Sequence, residues 1–196
     1  MLTTTLSQLH QLKLSGMAKA LSQQLEQPGQ YQDLCFAERL QLLTDQEIHE
    51  RDNRKQQRLL KQAQLKLAAN SHDIDYQHPR GLQKSVMAGL LQCDWLQRQQ
   101  NLLLTGPCGT GKTYIACALA NTACLKGYTV KYYRVSRLLM ELTQAKADGT
   151  YSKKLKSLAK LNLLILDDWG LEPLKAAQRN DLMEIMDDRH GSSSTI

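Results

Sequence analysis

The chain has 196 residues, 42% of them apolar, and a formal net charge of +6. That is enough for one domain of ordinary size and a smaller module, with an excess of positive charge that suits an acidic partner such as nucleic acid. No apolar run reaches about 18 residues and no charged segment leads into an apolar one at the start, so neither a membrane span nor a secretory leader is expected.

The five cysteines, Cys35, Cys93, Cys108, Cys117 and Cys124, form no C-x-x-C pair and no cluster with histidine at zinc spacing. Free thiols in a reducing cytoplasm follow. The five histidines show no ligand or triad spacing and read as structural or surface residues.

Residues 3–68 read as helical. Leu6, Leu9, Leu12, Leu14, Met17, Leu21 and Leu25 recur mostly at three- and four-residue spacing, and Pro28-Gly29 stops that helix. A second helix is predicted from about Asp33 to Leu43. A third starts at Thr44, where Glu47 completes a capping-box pattern. It is polar and basic: residues 49–70 carry a net +4. Asn70 to Pro79 reads as a linker and turn. A helical module over 1–69 and a second domain over 70–196 are therefore expected.

The pattern then changes. A helix (81–98) precedes a strand (101–105), a Gly-rich loop (106–111) and a helix (112–125) closed by Gly127. A strand (Tyr128–Val135) leads to a helix that begins after Ser136 and breaks at Asp148-Gly149. A short basic helix (151–159) is followed by the apolar strand Leu163–Asp167. A last helix (about 176–189) leads to the start of another strand at Ser194-Thr195-Ile196. Strands alternating with helices imply an α/β fold with a doubly wound parallel sheet.

Gly106, Gly111, Lys112 and Thr113 fit G-x-x-x-x-G-K-[ST]. A loop that wraps phosphate oxygens with inward N–H groups has no room for Cβ atoms at its tightest turns, and glycine removes them. The helix that opens at Lys112 offers unpaired N–H groups and a positive dipole end. Gly106, Pro107, Cys108, Gly109, Thr110, Gly111, Lys112, Thr113 and Tyr114 are thus candidate nucleotide contacts, with Lys112 on the β- and γ-phosphates and Thr113 on Mg²⁺. Asp167 ends an apolar strand, where such a site needs a carboxylate for Mg²⁺, and Asp168 beside it could polarise the attacking water. Lys112, Asp167 and Asp168 are the candidate catalytic residues.

The segments "LLLTGPCGTGKTYIACALA", "GYTVKYYRV", "QAKADGTY" and "LLILDDWGLEPL" resemble the IstB-like helper ATPases of insertion-sequence transposition. These are AAA+ proteins related to DnaC helicase loaders and DnaA initiators. The helical start, with "ERLQLLTDQE" and "DIDYQHPRG", resembles them too, so the likeness covers essentially the whole chain. It implies a P-loop AAA+ core with ATP and Mg²⁺ as cofactors. It also implies assembly into ATP-dependent oligomers on double-stranded DNA and recruitment of the element's transposase. A replicative helicase loader and a non-catalytic remnant that binds DNA or partners are the rival readings. The linker before the core would supply adenine contacts through Ile74 and Tyr76.

Two basic clusters are the DNA candidates under this resemblance. Arg51, Arg54, Lys55, Arg58, Lys61 and Lys66 lie on one predicted helix, and the first five are the contact candidates. Lys146, Lys153, Lys154, Lys156 and Lys160 lie in the segment that lines the central channel in related ATPases. Contacts would fall mainly on phosphates. The family's core continues through a polar sensor, a final strand, an arginine finger and a lid, whereas this sequence stops at "HGSSSTI", so a core truncated before those elements is expected. Weak hydrolysis and an exposed edge at Leu102–Leu104 are expected in consequence.

Overall fold

Leu163, Leu164, Ile165 and Leu166 are each at most 8% exposed, and with Asp167 they form β2 (Leu163–Asp167), the middle strand of a parallel sheet. β1 (Val130–Arg134) pairs on one side, with Tyr132 opposite Ile165 and Arg134 opposite Asp167. β3 (Ser194–Thr195) pairs on the other. A strand apolar on both faces needs both covered. The computed structural model describes residues 2–78 and 81–196, in two compact units, Met1–Gln57 and Arg58–Ile196. The predicted turn at Pro79 lies outside the described residues.

In the larger unit, α6 (Lys112–Leu125) covers one sheet face, packing with Tyr132, Leu163 and Ile165. Its buried side is built from small residues, Ala116, Cys117, Ala118, Ala120, Ala123 and Cys124, which let the helix lie close to the sheet. Gly127, at φ +89°, ends it as expected: Gly127 N–H donates to Cys124 O and Tyr128 N–H to Ala123 O, both at 3.0 Å. The opposite face, with Leu164 and Leu166, is covered by α7 (Val135–Ala147), α8 (Tyr151–Ala159) and α9 (Ala176–Arg189). Arg189 closes this layer. Its guanidinium is buried and donates to Leu158 O, Leu161 O, Ser194 O and the Thr195 hydroxyl, which pins the turn into β3.

The predicted strand 101–105 is not a regular strand. Leu102 N–H donates to Thr195 O at 2.9 Å, but the next ladder position is taken by a side chain, Asn101 Oδ1, which accepts from Thr195 N–H at 2.8 Å. The segment still lies beside β3, and Leu103 is 87% exposed between half-buried Leu102 and Leu104. The predicted helix 81–98 is two helices, α4 (Lys84–Leu91) and α5 (Asp94–Gln97). Cys93 between them adopts φ +65°, which no helix continues through. The strand predicted over Tyr128–Val135 is shorter, because Val135 already opens α7.

The smaller unit contains α1 (Leu2–Gln11), α2 (Ser15–Glu26) and the first part of α3 (Phe36–Ala63). The single helix predicted up to Pro28 breaks at Lys13, φ +58°, where Leu14 N–H turns back to Leu9 O at 2.8 Å. The two helices predicted at 33–43 and from Thr44 are one. Thr44 lies mid-helix and its hydroxyl donates to Gln41 O at 2.8 Å, so no capping box forms there. Glu47 does cap a helix, but a different one. Its Oε2 accepts from the N–H groups of Gly16 and Met17, at 2.7 and 3.2 Å, in the first turn of α2. That carboxylate meets both orphan donors and the positive helix end.

Candidate functional site

The loop before α6 bends through Gly106, Gly109 and Gly111, at φ +148°, +82° and +87°. A Cβ on Gly109 would meet nothing within 4 Å, so glycine is required there by backbone conformation and not by space. Thr110 Oγ1 donates to Pro107 O at 2.9 Å across the loop, while Pro107 and Cys108 are exposed. Lys112 Nζ folds over the rim and donates to Gly106 O and Pro107 O, each at 2.7 Å. An ammonium so placed is already at the loop's mouth and exchanges those carbonyls for any stronger anionic acceptor.

One residue on, Thr113 Oγ1 donates to Asp167 at the tip of β2, 3.0 Å from Oδ2 and 3.2 Å from Oδ1. Oδ2 also accepts from Tyr132 Oη at 2.6 Å and pairs with Lys66 Nζ at 3.5 Å. Burial pushes this carboxyl up, but the hydrogen bonds from Tyr132, Thr113 and the Asp168 N–H, with the Lys66 charge, outweigh it and hold Asp167 below the ordinary carboxylate range. It is therefore anionic at neutral pH. Burial, with the carboxylate beside it, pushes the Tyr132 phenol the other way, well above its ordinary value. Asp168 takes a left-handed conformation, φ +60°, and faces Arg134 Nε at 3.4 Å.

The stretch before the core packs over α6. Asn121 Nδ2 donates to Ala69 O at 2.8 Å, and Tyr114 Oη reaches Asn70 O at 3.5 Å. Ile74 is buried in the core beneath, and half-buried Tyr76 packs against the same cluster. Tyr132 and Lys66 are the members of the site that sequence reasoning missed. Tyr132 reads as an ordinary strand aromatic and Lys66 as one more charge on a basic helix; only the strand register and the chain's path bring them to Asp167.

Residues 7–196 match the sequence profile described as IstB-like ATP binding protein. The chain belongs to that family. Among IstB-like relatives is an ATP-binding protein of insertion sequence IS1162 from Pseudomonas fluorescens, 50% identical over 98% of this chain and 83% of its own length. Another is the insertion-sequence ATP-binding protein y4pL of Sinorhizobium fredii, 43% identical over 98% of this chain and 78% of its own. The corresponding protein of insertion sequence IS21 from Pseudomonas aeruginosa is 28% identical over 96% and 71%.

In this IstB-like chain the two basic clusters each divide. On α3 all five are exposed, but Arg51 Nε is held by Glu47 at 2.7 Å and Arg54 by the Ser15 hydroxyl at 2.8 Å, while Lys55, Arg58 and Lys61 form no ion pair with a carboxylate of the described residues. Around α8, Lys146 pairs with Asp181 at 2.5 Å and Lys154 with Glu141 at 2.5 Å and the Tyr133 hydroxyl at 2.9 Å. Lys153, Lys156 and Lys160 are exposed and fall at helical spacing on one side, away from buried Leu155 and Leu158. Among the described residues no helix is long and apolar enough to cross a membrane.

Proposed function

We propose that the chain binds ATP with Mg²⁺ and acts in the cytoplasm, with further copies of itself on double-stranded DNA, as the helper of an insertion-sequence transposase. The observation that carries this reading is the meeting of the Thr113 hydroxyl and the Asp167 carboxylate beside a loop of P-loop spacing. The loop N–H groups and Lys112 hold the phosphates. Among the described residues no group of three or more His, Cys, Asp or Glu is placed to hold a metal alone. The hard oxygens of Thr113 and Asp167 fit Mg²⁺, which keeps water and substrate-phosphate ligands and needs few from protein. When bound, that ion neutralises charge on the phosphate oxygens. Asp168, steered by Arg134, orients water, and Ile74 and Tyr76 flank the adenine.

The names of the relatives, ATP-binding proteins of insertion sequences, support the biological setting. The exposed Lys55, Arg58 and Lys61, and Lys153, Lys156 and Lys160, supply the phosphate contacts to DNA. The test is co-sedimentation of the protein with linear duplex DNA, with and without Mg²⁺ and a slowly hydrolysed ATP analogue, followed by capture of an insertion-sequence transposase. Nucleotide-dependent retention on DNA and capture of the transposase are expected. Retention that ignores nucleotide, or capture of a replicative helicase in place of the transposase, would overturn the reading.

A further inference from the structure

We infer that Tyr132 is a positioning residue of the magnesium site, its phenol fixing the carboxylate of Asp167 by a hydrogen bond to Oδ2. The inference rests on the nucleotide reading above. Parallel pairing sets Tyr132 opposite Ile165, so it shares a sheet face with Asp167 two residues further along β2. That is the face covered by α6. The Tyr132 residue is only 9% exposed, so the ring is held by packing on that face.

The torsion that turns a carboxylate is broad and weakly restrained in itself. Here Oδ2 accepts a hydrogen bond from the Tyr132 hydroxyl at 2.6 Å, the shorter of the two hydroxyl contacts it receives. Oδ1 receives the longer Thr113 contact, at 3.2 Å, and no side chain other than Thr113 is seen to donate to it among the described residues. A charge-assisted bond from a packed donor is the kind that orients a metal ligand from behind. Tyr133 is chemically identical and adjacent, but it lies on the opposite face, where its hydroxyl accepts from Lys154. The two tyrosines therefore provide an internal control.

The experiment is a Mg²⁺ titration at fixed fluorescent ATP analogue, for wild type, Tyr132→Phe and Tyr133→Phe, with analogue affinity also measured in EDTA and the thermal midpoint recorded. Tyr132→Phe keeps the ring and removes one hydrogen bond to an anion, so the Mg²⁺ concentration at half-saturation is expected to rise about tenfold. Affinity in EDTA stays at the wild-type value, and Tyr133→Phe matches wild type in both. An unchanged Mg²⁺ midpoint in Tyr132→Phe overturns the inference, as does an equal loss with and without Mg²⁺, which would mark a purely structural role. A wild type that binds the analogue with no response to Mg²⁺ overturns the nucleotide reading itself, and this inference with it.

Discussion

The Thr113 hydroxyl lies 3.0 Å from Asp167 Oδ2 although the two residues are 54 positions apart in the chain. The hydroxyl opens α6 and the carboxylate ends β2, so their separation reports how closely helix and strand tip are packed. Asp167→Asn replaces an anion that accepts from Thr113, Tyr132 and Lys66 by a neutral amide. The expected outcome is loss of the Mg²⁺-dependent part of ATP-analogue binding, with a fall in stability of roughly 1–3 kcal/mol read from urea unfolding.

Gly16 is a close-approach position. A Cβ there would sit 2.7 Å from Glu47 Cα and 2.8 Å from Gln46 O, both backbone atoms that cannot turn aside. Gly16→Ala is therefore expected to push α2 away from α3 and to destabilise the N-terminal unit by about 1–3 kcal/mol, despite the better helix propensity of alanine. Urea unfolding followed by helical circular dichroism measures it.

The same contact is pH-sensitive. Burial pushes the Glu47 carboxyl up, but the Arg51 side chain and the N–H groups of Met17 and Gly16 more than offset this and hold it below its ordinary 4.5. A folded-state value below the unfolded one means that the stabilisation is complete above 4.5 and is lost as pH falls through the lower, folded-state value. Glu47→Gln is expected to be less stable than wild type at neutral pH, with the gap between their thermal midpoints closing as the pH is taken down to about 3. A gap that stays constant with pH would show that the charge on Glu47 does not matter.

Exposed lysines on DNA release counterions. Changing Lys153, Lys156 and Lys160 together to alanine is expected to weaken duplex binding uniformly across sequences and to flatten the plot of log affinity against log salt by about three. Lys146→Ala and Lys154→Ala remove partners of Asp181 and Glu141, so their effect is expected chiefly in thermal stability.

Much of this architecture is legible in the residues alone. The bounds of α6, α8 and α9 follow from glycine stops and apolar spacing, and the tip of β2 from an apolar run meeting two aspartates. What was not legible depends on partners distant in sequence. Residues 101–105 have strand-like apolarity, but a ladder needs a neighbour, and Thr195 bonds to the Asn101 side chain in place of its backbone. Thr44 and Glu47 have capping-box spacing, yet Glu47 is drawn to α2, whose first-turn N–H groups are the needier donors. The break at Lys13 carries no glycine or proline to announce it. In the site, the loop and Asp167 announce themselves by spacing. Tyr132 and Lys66 do not, because a tyrosine in a strand and a lysine after a basic helix look the same whether or not a carboxylate waits for them.

Calorimetric titration of ATP with Mg²⁺ into wild type and Lys112→Ala tests the phosphate-cradle reading most directly. Lys112 already spans the loop mouth at 2.7 Å from Gly106 O and Pro107 O. Its charge-assisted bonds to phosphate are expected to strengthen binding by roughly 10- to 100-fold over the variant. Saturable binding to wild type with that loss in Lys112→Ala is the expected result. Equal affinity in the two proteins, or none in either at millimolar ATP, would contradict the assignment of this loop as a nucleotide site.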